Sequence, residues 1–69
     1  MRLLINGEER EFAADRFTLA ALVEQLGMKS DRVAIELNRD IVARGRWPAT
    51  LLSDGDRLEI VHFVGGGRS

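Results

Sequence analysis

The sequence predicts an α+β fold in which one mixed sheet packs on one helix. Three observations predict it. Apolar residues alternate near the start, in the middle and near the end of the chain, as they do in half-buried strands. One segment between the first two of these switches to the helical period. The length of 69 residues leaves room for a single domain with a small core.

The first element is a hairpin. In "RLLINGEEREF", Leu3 and Ile5 point one way and Leu4 the other. Asn6-Gly7 is the strongest short hairpin signal, because both turn positions tolerate positive φ. Glu8 to Phe12 then return antiparallel. The helix follows in "FTLAALVEQLG", where Leu19, Leu22, Val23 and Leu26 fall at i, i+3, i+4 and i+7 and share one face. Thr18 is its N-cap and Gly27 its end. Lys29, Ser30 and Asp31 read as a loop, with Lys29 solvated rather than catalytic.

Alternation resumes in "RVAIELN", with Val33, Ile35 and Leu37 on one face and Ala34 and Glu36 on the other. Asn38-Arg39-Asp40 reads as a turn and Ile41-Val42 as a short strand after it. "RGRWPAT" reads as irregular, punctuated by Gly45 and Pro48. Trp47 is large enough to anchor this stretch on the core, and an exposed binding aromatic is the alternative. Ser53-Asp54-Gly55-Asp56 is a tight turn. Asp54 and Asp56 could pair as an acid and a base only with a partner group that the sequence does not supply. In the last strand, "RLEIVHFV", Leu58 and Ile60 face the core and His62 continues their side, partly exposed. A lone histidine is more often structural than catalytic.

The order is strand, strand, helix, strand, short strand, loop, strand. In a chain this short the last strand can lie beside the first, parallel to it, in the middle of the sheet. That arrangement is the ubiquitin-like β-grasp. We expect the domain to span residues 1–64 and a glycine-rich tail to span 65–69.

Composition excludes several classes of function. There is no cysteine, so neither a disulfide nor a thiolate metal site can form. A formal net charge of -1 with mixed signs argues against nucleic acid as a partner. No apolar run approaches the roughly 20 residues of a membrane span, and the N-terminus is polar too soon for a secretory signal. The expectation is a cytoplasmic protein without a removed leader. Nothing in "VGGGRS" supplies the lysine and helix of a phosphate-binding loop.

The tail is the informative feature. Glycine carries the largest entropic cost of ordering, yet a backbone without side chains is thin enough to thread a narrow channel. From Val64 to Gly67 the chain can extend about 13–14 Å. A flexible linker or a cloning remnant is the plainer reading.

Taken in order, "LLINGEE", "TLAALVEQLG", "VAIELNRDIVARGRW" and "LLSDGDRLEIVHFVGGG" resemble the thiamine-biosynthesis sulfur carrier (ThiS) family along the whole chain. The small subunit of molybdopterin synthase is a related family that usually lacks the third stretch. The resemblance implies a carrier and not an enzyme. Its terminal glycine carboxylate would be adenylated by an E1-like, ThiF-like adenylyltransferase that uses ATP. Sulfur from a cysteine desulfurase would then convert it to a thiocarboxylate, the donor for a ThiG-like thiazole synthase.

By the same resemblance Gly67 bears the sulfur, while Gly65 and Gly66 thread the partner's active site. Phe63 and Val64 are candidates for the docking surface, with packing at the edge of the core as the alternative. The chain itself would bind no cofactor or metal and would be a monomer when free. It departs from the family pattern at Arg68-Ser69, which turn the Gly67 carboxylate into an amide. Those two residues are either a cloning remnant, an extension removed by a peptidase, or a sign that carrier chemistry is absent. Two other functions fit the same residues: a carrier for molybdopterin or another product, and a ubiquitin-like interaction module that carries no sulfur.

Overall fold

The computed structural model describes residues 1–13 and 16–63. Five strands, β1 (Arg2–Ile5), β2 (Glu8–Glu11), β3 (Val33–Leu37), β4 (Asp40–Val42) and β5 (Arg57–His62), form one sheet in the order β2-β1-β5-β3-β4. β5 is central, parallel to β1 and antiparallel to β3. One helix, α1 (Leu19–Gln25), covers one face. This is the ubiquitin-like β-grasp expected from the order of elements.

Each face follows from the alternation. Leu3 and Ile5 of β1, Val33 and Ile35 of β3, and Leu58 and Ile60 of β5 are buried against Leu19, Leu22 and Val23 of α1. Leu26, the fourth residue of the helical stripe, is half-buried at the C-cap. Thr18 caps the helix, its Oγ1 accepting from Ala21 N–H at 3.1 Å. Gly27, at φ 72°, closes the other end. Met28 N–H donates to Val23 O at 3.1 Å and Gly27 N–H to Glu24 O at 3.0 Å. These two bonds make a Schellman motif, which needs the left-handed conformation that glycine adopts without strain.

Two stretches differ from expectation. Residues Ser30–Arg32 form a single 3-10 turn. "RGRWPA" is not irregular but a 3-10 helix, Arg44–Ala49. A 3-10 turn tolerates Gly45 and Pro48 in a way that a longer α-helix would not. Burial of Trp47, which is 3% exposed, holds this short helix in place against α1.

Both hairpins turn on two left-handed residues, Asn6-Gly7 (φ 51° and 80°) and Asn38-Arg39 (φ 50° and 76°). Arg39 occupies the position where glycine is favoured. Arg39→Gly is expected to raise stability by about 0.5–1 kcal/mol, since relief of the left-handed penalty outweighs the added chain entropy. Urea unfolding of the two proteins checks this.

Candidate functional site

The core strand β5 is the element that leads to the glycine run. It is gripped on both flanks by the asparagines of the two hairpin turns. Near its start, Asn38 N–H donates to Arg57 O at 2.8 Å, and Arg57 N–H donates back to Asn38 Oδ1 at 3.0 Å. Asn38 Nδ2 also donates to Asp56 Oδ1 at 3.0 Å. Further along, Ile60 N–H donates to Asn6 Oδ1 at 2.7 Å and Asn6 Nδ2 donates to Ile60 O at 3.1 Å. These bonds join residues far apart in sequence. Sequence reasoning assigned both asparagines to the turns alone. The available signal was the choice of Asn over Gly or Asp, because an amide carries both a donor and an acceptor.

Beyond the strand, Phe63 N–H donates to Arg32 O at 2.8 Å, so β5 stays paired with the β3 side up to the last described residue before the tail. The Phe63 side chain is 49% exposed and stands outside the core cluster. Val61, on the open side of the sheet, is 58% exposed, and Ile41, whose cross-strand partner Glu36 faces the same side, is 79% exposed. Val64, Gly65, Gly66 and Gly67, together with Arg68 and Ser69, lie outside the described residues.

The remaining candidates have structural roles. Trp47 is buried, and its Nε1 donates to Val42 O at 2.9 Å, which rules out the exposed-aromatic reading. Asp54 Oδ1 accepts from Arg2 N–H at 2.7 Å and Asp56 Oδ2 from Ser53 N–H at 2.8 Å. Both carboxylates thus close the turn before β5. His62 is exposed at the end of β5. Among the described residues no group of three or more His, Asp or Glu side chains is placed to hold a metal ion. No helix among them is long and apolar enough to cross a membrane.

One consequence concerns Asp56, which bonds to both Ser53 and Asn38. Asp56→Ala removes these hydrogen bonds at once and is expected to cost about 1–2 kcal/mol. Asp54→Ala, which loses one bond at an exposed site, should cost about 1 kcal/mol or less. Thermal unfolding of the two variants ranks them.

Comparison with known proteins accords with this geometry. The model of the ThiS family matches residues 3–67, so the match includes the glycine run. The sulfur carrier protein ThiS of Bacillus subtilis is 35% identical over 65 residues, covering 94% of this chain and 98% of that protein. A thiazole synthase of Paramagnetospirillum magneticum is 49% identical over 67 residues, covering 97% of this chain. The chain spans only 20% of the length of that relative. The crystal structure of the thiamine biosynthesis protein ThiS from Geobacter metallireducens superposes with a TM-score of 0.84 at 32% identity, covering 97% of this chain and 100% of that one. A β-grasp sheet with its central strand leading into a triglycine run, matched over nearly its whole length by sequence and by structure, places this chain in the ThiS family.

Proposed function

We propose that this chain is a cytoplasmic sulfur carrier in thiamine biosynthesis, with the Gly67 carboxylate as its working group. The observation that carries this reading is the central strand, held up to Phe63 and followed, after Val64, by the glycine run in the sequence of a ThiS-family chain. The domain is the handle and Gly65-Gly66 the thread. Phe63 and Val64, next to the thread in sequence, are the residues a partner would grip to draw it in.

A carboxylate is a poor electrophile, and activation precedes any exchange of its oxygen. An adenylating enzyme of the ThiF kind supplies ATP. The Gly67 carboxylate attacks the α-phosphorus, pyrophosphate leaves, and an acyl adenylate forms. A persulfide sulfur, originating from a cysteine desulfurase, attacks the acyl carbon and expels AMP. A thiol cleaves the resulting acyl disulfide, so that the thiocarboxylate remains on Gly67 and the donor is left as a disulfide. ATP and the catalytic side chains belong to the partners, which is consistent with a carrier that is not itself an enzyme.

Similarity to a thiazole synthase over nearly all of this chain favours thiazole formation over molybdopterin as the destination of the sulfur. With Arg68 attached, Gly67 has no carboxylate, so hydrolysis of the Gly67–Arg68 bond must precede loading. The test compares the chain ending at Gly67 with the chain through Ser69. Each is incubated with a ThiF-type enzyme, ATP and a persulfide donor, then weighed intact. The shorter chain is expected to gain the mass difference between sulfur and oxygen, and the longer chain to gain nothing. A shorter chain that stays unmodified would sink the carrier reading.

A further inference from the structure

We infer that Asn6 is a positioning residue for the sulfur-bearing tail, a role that rests on the carrier reading and adds a residue to it. The observation is a mismatch in strand length. β1 and β5 pair in parallel through Leu4↔Arg57 and Ile5↔Leu58. The next ladder position is Asn6 itself, whose N–H still donates to Leu58 O at 2.9 Å, and from Gly7 the turn carries the chain off towards β2. β5 continues to His62. The second half of the strand leading to the tail thus has a backbone neighbour on its β3 side, through Val33↔His62, and none from β1.

The Asn6 side chain takes the place of the missing strand. Its amide offers one acceptor and one donor to the same residue, Ile60, at 2.7 and 3.1 Å. A backbone ladder makes the same two bonds. The bonds are possible because Asn6 sits at φ 51°, where the chain has already begun to turn and the side chain lies along the vacated edge. Asparagine is one of the few residues that combine this conformation with an amide. Ile60 is three residues before Phe63 and seven before Gly67 by sequence number. Pinned on both sides at Ile60, the strand has one exit direction. Released on one side, the strand is held at Ile60 by β3 alone, and the position it gives to Phe63, where a partner would grip, is less tightly set.

This makes a specific kinetic claim. Once threaded, the tail is held by the partner, so loss of Asn6 should reduce productive docking and leave the chemical step unchanged. The experiment uses chains ending at Gly67 and measures their adenylation by a ThiF-type enzyme as a function of carrier concentration. Measurements are made well below the unfolding temperature of every variant. Asn6→Gly keeps the left-handed turn and removes the bridge. It is expected to raise KM for the carrier about three- to tenfold, the order of one net hydrogen bond, at unchanged kcat. Asn6→Asp keeps the acceptor for Ile60 N–H and should recover part of the loss.

Asn38→Gly is the control, because it removes a comparable grip at the far end of the same strand. Its KM should equal that of the parent chain. In amide exchange, Ile60 N–H should lose protection in Asn6→Gly while Ile35 N–H does not. If Asn6→Gly leaves KM unchanged, or if Asn38→Gly raises it equally, Asn6 is only a source of stability and the inference is wrong. A parent chain that is not adenylated at all overturns the carrier reading instead, and this inference falls with it.

Discussion

Leu58→Ala is expected to leave most of the chains unfolded at physiological temperature. Leu58 is fully buried in the central strand, opposite Leu37 of β3 and beside Ile5 of β1. Truncating a buried leucine to alanine costs about 2–5 kcal/mol, from lost transfer free energy and the cavity left behind. A core of this size supplies only about 3–5 kcal/mol of net stability. The two figures nearly cancel, so the native state loses its margin. Val61 lies on the same strand but on the open face, 58% exposed, and Val61→Ala should change stability by about 0.5 kcal/mol or less. Circular dichroism of the two variants against temperature separates them. Equal melting would mean that β5 is not the centre of the core.

The largest functional effect is expected from Gly66→Leu in the chain ending at Gly67. On the proposed function, the variant retains the carboxylate that ATP would activate. Stability should be that of the parent chain. Adenylation should fall on the order of 100-fold, because a side chain on the thread displaces the carboxylate from the attacking geometry by an ångström or more. Gly66→Ala, with a single methyl group, should fall less. Pyrophosphate release under saturating ATP reads both. Parent-like rates for Gly66→Leu would mean that the partner's channel does not require a bare backbone, and the thread would have to be assigned to other residues.

The arrangement of the domain leaves one face of the sheet for a partner. Its core needs one face of the sheet, and the helix covers that face. The other face remains available, and Val61 and Ile41 are exposed there. Phe63, the last described residue before the glycine run, is half-exposed. Two hairpin turns hold the strand that leads to it, one at each end.

Much of this was legible in the sequence because it depends on local periodicity. The alternation of Val33, Ile35 and Leu37 and the helical spacing of Leu19, Leu22 and Val23 each name a buried face without any knowledge of what packs there. Asn6-Gly7 announces its turn through the φ angles that both residues tolerate, and Asn38 does the same for the second turn, whereas Arg39 takes a left-handed φ it does not favour. Thr18 and Gly27 mark the ends of the helix because capping uses only near neighbours. The glycine run, in the context of these elements, pointed to the carrier family. The 3-10 helix at Arg44–Ala49 was missed, because burial of Trp47 against α1 and a bond from Arg44 Nε to Ser30 O, both set by tertiary packing, help hold that geometry.

What only the tertiary structure decided is what depends on distant partners. Trp47 is an anchor because its indole finds Val42 O as well as the core. Asp54 and Asp56 close a turn because Arg2 and Asn38 come from elsewhere in the chain to meet that turn. The bond from Asn6 to Ile60 spans 54 positions. Periodicity reports which side a residue faces, whereas a hydrogen bond of a few ångströms requires two segments to be brought together, and that proximity exists only once the parallel pairing of β1 and β5 has closed the chain on itself.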